Sequence, residues 1–166
     1  MTDKRRSRAA LEHELEALRQ EVSAWRSFAS RYDSFLMGGS QASRVLLTVP
    51  DLRRALDQAV EILGKAAEID RVCIFEVGRD AATSARLATL LCGWTRQEVN
   101  APNDKSTRHD MPFPDSCARW LNLLAAGEGV VGLSQDFPDC ERYALEAQGI
   151  RSLLAVPIPV DGFWGF

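Results

Sequence analysis

The sequence predicts an α+β domain: a mainly antiparallel sheet flanked by helices, preceded by an N-terminal coiled-coil helix. Three observations carry that prediction. Leu11, Leu15, Leu18, Val22, Trp25, Ala29, Tyr32 and Leu36 recur at steps that alternate four and three, the a/d seam of a two-stranded coiled coil. Apolar runs at 72–77, 86–94 and 152–160 read as strands, with hairpin-type connections at 79–85 and at Asp161-Gly162. Helical patterns fall between the strand runs, which places helices on the faces of the sheet.

The basic run Lys4-Arg5-Arg6-Ser7-Arg8 has no apolar pattern, so residues 1–10 read as a disordered tail. The heptads then span 11–37, with Glu12, Glu14, Glu16, Arg19, Gln20, Glu21, Arg26 and Arg31 filling other positions. A single amphipathic helix lying on its own domain is the alternative. The sustained 3.5-residue period favours self-association, so the partner expected here is a second copy of the chain, paired through Leu11 to Leu36. Trp25 and Tyr32 are bulky at d and Ala29 leaves a gap, which predicts a modest dimer. Gly38-Gly39 is expected to end this helix, with 38–44 as linker and the domain proper over 45–166.

Pro50 suits a first helical position, and the helix from there to Ala67 gathers Leu52, Ala55, Leu56, Ala59, Leu63, Ala66 and Ala67 on one stripe. Opposite lie charged residues, with Glu61 and Lys65 ordered for an i,i+4 pair. Val72 to Val77 is apolar on both faces and therefore central. Residues 95–111 form a long polar loop of the kind that is functional or mobile in compact domains. Asp115 or Ser116 caps a helix running to Ala126, where Cys117, Trp120, Leu121 and Leu124 share a face and Gly127 stops it. A short strand at 130–133 precedes a helix holding Tyr143, Ala144 and Ala147, with Glu141 near its positive end. Gly149 ends that helix in left-handed backbone. The Asp161-Gly162 turn pairs Val160 with Phe163, Pro159 with Trp164 and Ile158 with Gly165. Phe166 stands four residues into the returning strand, which predicts a domain cut short at its C-terminus.

Composition narrows the function. At 166 residues and 46% hydrophobic the chain buries one good core. A net charge of −3 and a pI near 5.4 argue against a general nucleic-acid binder. No run approaches the roughly 18 apolar residues of a membrane span, which makes the cytoplasm the expected location. The four cysteines, Cys73, Cys92, Cys117 and Cys140, lack C-x-x-C spacing and neighbouring histidines, so they read as reduced thiols. Neither a Ser-His-Asp set, a phosphate loop nor a metal-ligand cluster is present, and no metal or catalytic residue is expected.

Asp70-Arg71-Val72-Cys73-Ile74-Phe75 with Trp94 resembles the first two strands of a GAF domain. The likeness strengthens through Pro112-Phe113-Pro114, Arg119-Trp120, Gly127-Glu128 and Val130-Val131. It is strongest over Gly149-Ile150-Arg151-Ser152-Leu153-Leu154-Ala155-Val156-Pro157-Ile158 with Gly165-Phe166. It covers about residues 45–166 and implies about six antiparallel strands, with a ligand pocket on one face and helices on the other. Proline inside an apolar strand then has to face a gap, a bulge or an edge, which is the place of Pro157.

Such domains are regulatory modules of bacterial signalling proteins, including two-component sensor histidine kinases and cyclic-di-GMP enzymes. The resemblance therefore implies a dimeric sensor whose signal passes through helices to an effector beyond Phe166. By analogy with the family's ligand face, Trp94, Phe113 and Trp120 are the candidate pocket aromatics, and Arg151 the candidate contact for an anionic ligand. The same residues also read as ordinary core aromatics and a solvated strand-edge arginine. A bilin site is disfavoured because Ala118, not histidine, follows Cys117. A cyclic-nucleotide site is disfavoured because Asn103-Asp104-Lys105 is only a loop fragment, and His109 in a polar loop makes a poor haem ligand. One branch of the family reduces free methionine sulfoxide with three pocket cysteines and a Gly-Pro-Phe-Gln-Gly run, which this sequence lacks; only Cys117 has a helix-start setting. The competing function is a ligand-free dimerisation or protein-interaction module.

Overall fold

A computed structural model describes residues 3–79, 86–97, 110–112, 118–160 and 163–166. Helix α1 (Asp3–Thr48) is followed by α2 (Leu52–Ala66), strands β1 (Arg71–Arg79), β2 (Arg86–Thr95) and β3 (Asp110–Pro112), and helix α3 (Ala118–Ala125). Strand β4 (Val130–Leu133), a short 3-10 turn, helix α4 (Asp139–Ala147) and strands β5 (Ser152–Ala155), β6 (Ile158–Pro159) and β7 (Phe163–Gly165) complete the order. The expected antiparallel sheet between helices is the architecture found.

Five strands lie in the order β3-β2-β1-β7-β6, and β4 pairs with β5 in a second, two-stranded ladder. Every pairing is antiparallel. Residues 152–159 belong to both ladders, and the pairing lapses at Val156-Pro157, where proline has no N–H to contribute. The terminal hairpin keeps the anticipated Ile158–Gly165 pair, but Pro159 faces Phe163 rather than Trp164 across a register shift. Residues 161–162 at its tip lie outside the described residues. The sequence reading also missed β3: three residues at the end of the polar loop pair with Leu87, Ala88 and Thr89 as an edge strand.

The largest departure is in α1. The helix runs through Gly38-Gly39 without a break, so the stretch 38–44 read as a linker is helical, and the helix reaches back to Asp3 through the basic run read as a tail. Packing explains this. Gly38 and Ala42 are buried against α2, and a Cβ on Gly38 would collide with the Cβ of Ala66. Glycine costs a helix about 1 kcal/mol relative to alanine. Here that cost is offset by an approach of two backbones that no larger residue permits. Gly39 meets nothing within 4 Å and simply rides in the helix.

Helix α2 is laid between α1 and the sheet. The Asp51 carboxylate accepts the Arg54 N–H at 2.7 Å, so the cap is Asp51 and Pro50 stands before it. Ala55, Ala59, Val60 and Gly64 form its buried stripe, with Gly64 directly beneath the Trp94 indole. Leu52, expected on that stripe, is exposed. On the other side, α3, β4, α4 and β5 enclose Leu124, Val130, Phe137 and Leu145, with Trp120 and Phe166 packed against them. Gly127 and Gly149 take left-handed backbone (φ 86° and 69°) and end α3 and α4 as the sequence indicates. At the second stop the Ile150 N–H donates to the Leu145 carbonyl at 2.9 Å.

Phe166 ties the two halves together. Its backbone exchanges hydrogen bonds with Phe75 (2.8 and 3.0 Å), and the rings stack with centroids 5.1 Å apart. Because β1 alternates, Phe75 lies on the face opposite Val72 and its cross-strand partner Trp94. The sheet therefore carries α2 on one face and the α3–α4 cluster on the other.

Gly38→Ala is expected to destabilise the fold by about 1–3 kcal/mol through overpacking against Ala66. Gly39→Ala is expected to be neutral or to stabilise by up to about 1 kcal/mol. Urea denaturation of the two variants beside wild type measures the contrast.

Candidate functional site

The candidate ligand residues fall in separate places. Trp94, near the end of β2, stands on the α2 face and lines an open groove of about 800 Å³ with Glu61, Lys65, Glu68, Thr95, Arg96 and Gln97. The groove is partly self-neutralised. Lys65 Nζ donates to Glu61 at 2.7 Å, and Arg96 donates to the Ile69 carbonyl at 3.2 Å with the Asp70 carboxylate 3.7 Å away. Glu68 at its rim holds φ 55°, the left-handed region that a helix stop usually assigns to glycine. Trp120 belongs to the opposite cluster, 5.9 Å from Phe137 between ring centroids. Arg151 is exposed at the entry to β5, where its carbonyl accepts the Ser134 N–H at 2.8 Å. Phe113 lies outside the described residues, as do His109 and Cys117. Trp94 and Trp120 are thus not brought together, since the sheet stands between them.

The structure adds a charged pair that the sequence reading did not single out. Glu141, only 2% exposed, receives Arg119 in a two-pronged contact: Nε to Oε1 at 3.0 Å and Nη2 to Oε2 at 2.6 Å. The Arg119 guanidinium also lies over the Phe137 ring, 5.7 Å from its centroid. Burial pushes the Glu141 carboxyl up, but the hydrogen bonds from Arg119, the neighbouring Trp120 indole and the Arg119 charge outweigh it and hold the pKa below its ordinary value. The indole nitrogen lies close enough to favour the carboxylate without forming a well-aligned bond, and among the described residues it has no hydrogen-bond partner. Glu141 was read as a helix-dipole residue of α4. Its depth and its partner 22 positions earlier are tertiary facts.

The thiols do not form a reactive set among the described residues. Burial raises the Cys73 thiol, with Arg71 opposing, and raises Cys92 to about 11 with help from Asp57 and Cys73. Both are protonated at neutral pH and poor nucleophiles. Cys140 is exposed. No group of His, Cys, Asp and Glu among the described residues could hold a metal ion, and no described helix is long and apolar enough to cross a membrane.

An antiparallel sheet with a helical layer on one face and a mixed α/β layer on the other is the frame the chain builds, and comparison with known proteins identifies it. The GAF domain family matches residues 51–166. The chain belongs to that family, which is one of sensory signalling domains. It is 33% identical over 135 residues to the methanogenesis regulatory histidine kinase FilI of Methanothrix harundinacea (strain 6Ac), an alignment covering 81% of this chain and 15% of that protein. The phycoerythrobilin-bound GAF domain of a cyanobacterial phytochrome superposes with a TM-score of 0.61, covering 80% of this chain and 78% of that one. At 13% identity this second likeness concerns the fold.

Arg119→Met is expected to cost about 2–4 kcal/mol by leaving Glu141 buried and unpaired, the lower end reflecting an Arg119 side chain that is 45% exposed. The pH dependence has a fixed sign. Because the folded carboxyl is depressed, the pair's contribution is full above the unfolded pKa of about 4.3 and is lost as pH falls through the folded value. Urea midpoints between pH 7 and pH 3 should fall more steeply for wild type than for Glu141→Gln.

Proposed function

We propose that this chain is a dimeric sensory domain that relays a small-ligand or partner signal through α1 to an effector domain, in the cytoplasm. One observation carries the reading. The apolar stripe of α1 is exposed along its length, with Leu11 at 57%, Leu18 at 51% and Trp25 at 64%, while the same unbroken helix is buried against α2 at Gly38 and Ala42. A surface of that length and hydrophobicity suits a helical partner. A continuous helix would pass a repacking at its domain end along to the paired end. The histidine kinase relative supports a kinase as effector, within a two-component system; a cyclic-di-GMP enzyme is the other class the family offers.

For the ligand, the proposal keeps Trp94, Phe113, Trp120 and Arg151 as contacts. Trp94 is supported by the groove it lines beside Lys65 and Arg96. Trp120 is supported by its place on the face opposite α2, with Phe137 and Phe166 beside it. A second reading is favoured by that same packing. Trp120, Phe137 and Phe166 fill the space around Leu124 and Leu145, as they would in a ligand-free dimerisation module whose pocket has collapsed.

Absorbance of the purified protein, with mass spectrometry of whatever denaturation releases, separates the two readings. The sensory reading expects a stoichiometric small molecule, or a tryptophan emission change on screening metabolites that Trp94→Phe or Trp120→Phe weakens. A colourless, well-folded dimer unresponsive to any of them supports the structural module. A monomer at tens of micromolar rejects both.

A further inference from the structure

We infer that the partner seated on the α1 stripe is a second copy of this chain lying parallel and in register. This inference rests on the dimeric reading above and adds its geometry. With Leu15, Val22, Ala29 and Leu36 at a and Leu11, Leu18, Trp25 and Tyr32 at d, the flanking positions are fixed by counting. The e positions are Glu12, Arg19, Arg26 and Asp33. The g positions are Glu14, Glu21, Phe28 and Phe35.

In a parallel pair each g residue faces the e residue five positions later on the partner. Glu14 then meets Arg19 of the second copy and Glu21 meets Arg26, each contact repeated by the two-fold axis. Phe28 meets Asp33, which is neutral to the choice. In an antiparallel pair e faces e and g faces g. Arg19 would then oppose Arg26, and Glu12 would oppose Asp33, again each twice. Four opposite-charge contacts in one orientation become four like-charge contacts in the other. Sliding a parallel pair by one heptad keeps two of the four, Glu14 opposite Arg26 and Glu21 opposite Arg19, and sets Glu21 against Asp33 and Glu14 against Glu12, so the aligned register is selected as well.

The structure leaves these charges available. Arg19 reaches only Glu16 of its own helix, at 3.8 Å with both side chains more than half exposed, a weak competitor. Glu14, Glu21 and Arg26 are exposed on α1. Trp25, Phe28 and Tyr32 are already arranged as a run of ring contacts, 6.1 Å edge-to-face and then 6.4 Å stacked. A partner meeting this seam therefore meets ordered aromatics, which lowers the ordering cost of association.

Disulfide trapping reads the orientation directly. In a chain whose four native cysteines are changed to alanine, Leu11→Cys and Leu36→Cys are introduced singly and mixed, with sedimentation of the cysteine-free background as control. The parallel pair gives 11–11 and 36–36 crosslinks. Crosslinks formed between Leu11→Cys and Leu36→Cys chains alone would overturn the orientation while leaving the dimer reading standing. A monomeric wild-type chain would overturn the dimer reading and this inference with it. A second measurement keeps the native cysteines. Arg19→Glu with Arg26→Glu should weaken the homodimer by roughly tenfold or more, and mixing with a Glu14→Lys, Glu21→Lys chain should restore it. An antiparallel dimer would not be weakened by the first pair of changes, because its e–e contacts are already between like charges.

Discussion

The contact of Gly38 with Ala66 is the constraint on which the rest depends. It lets the axes of α1 and α2 approach as closely as backbone permits, and nothing larger than hydrogen fits at Gly38. The same economy recurs one layer in, where Gly64 makes room for the Trp94 indole. Two glycines and four alanines (Gly38, Ala42, Ala55, Ala59, Gly64 and Ala66) thus set the spacing of α1, α2 and the sheet. Small side chains contribute little hydrophobic area themselves. Their effect is to bring many other atoms within dispersion range.

Much of this was legible in the sequence, and what was missed has a common cause. Strands β1, β2, β4 and β5 follow from apolar runs between turn residues, and Gly127 and Gly149 end helices because left-handed backbone is a local property. Gly38-Gly39 misled because its local meaning, a break, was overridden by a contact made 28 positions away. The Arg119–Glu141 pair was invisible for the same reason, as was β3, whose three residues at the end of a polar loop pair with Leu87, Ala88 and Thr89 at the sheet edge. The candidate site was less legible than the fold. Alternation along β2 places Trp94 with Cys92 and not with Gly93, but deciding which of those two faces meets α2 needs the structure.

The two faces of the sheet differ in how they are closed. On the α2 side, small residues make a tight but shallow seam, open at one end into the groove beside Trp94. On the other side the closure is largely aromatic: Phe166 stacks on Phe75 of the central strand, Trp120 meets Phe137, and both Phe166 and Trp120 pack against the Leu124 cluster. The buried Glu141 charge sits beside Trp120. An ion pair so placed adds little net stability over a well-packed apolar pair. Its two-pronged geometry does fix how α3 and α4 lie against each other, because Arg119 is on one and Glu141 on the other.

That arrangement bears on how a signal would cross the domain. A repacking of the cluster around Leu124 would reach Phe166, which packs against it and is hydrogen-bonded to Phe75 on β1. Val72 and Ile74 on the same strand, with their partners Trp94 and Cys92, face α2. From α2 the next contact is Ala66 on Gly38, in a helix that does not break for another 35 residues toward its N-terminus. Each link is a packed contact, so a displacement at one end would move whole elements rather than be absorbed by side chains. A linker at 38–44 would have cut this path at its last step. The helix that runs through it instead carries the end packed on α2 into the exposed apolar stripe without a break.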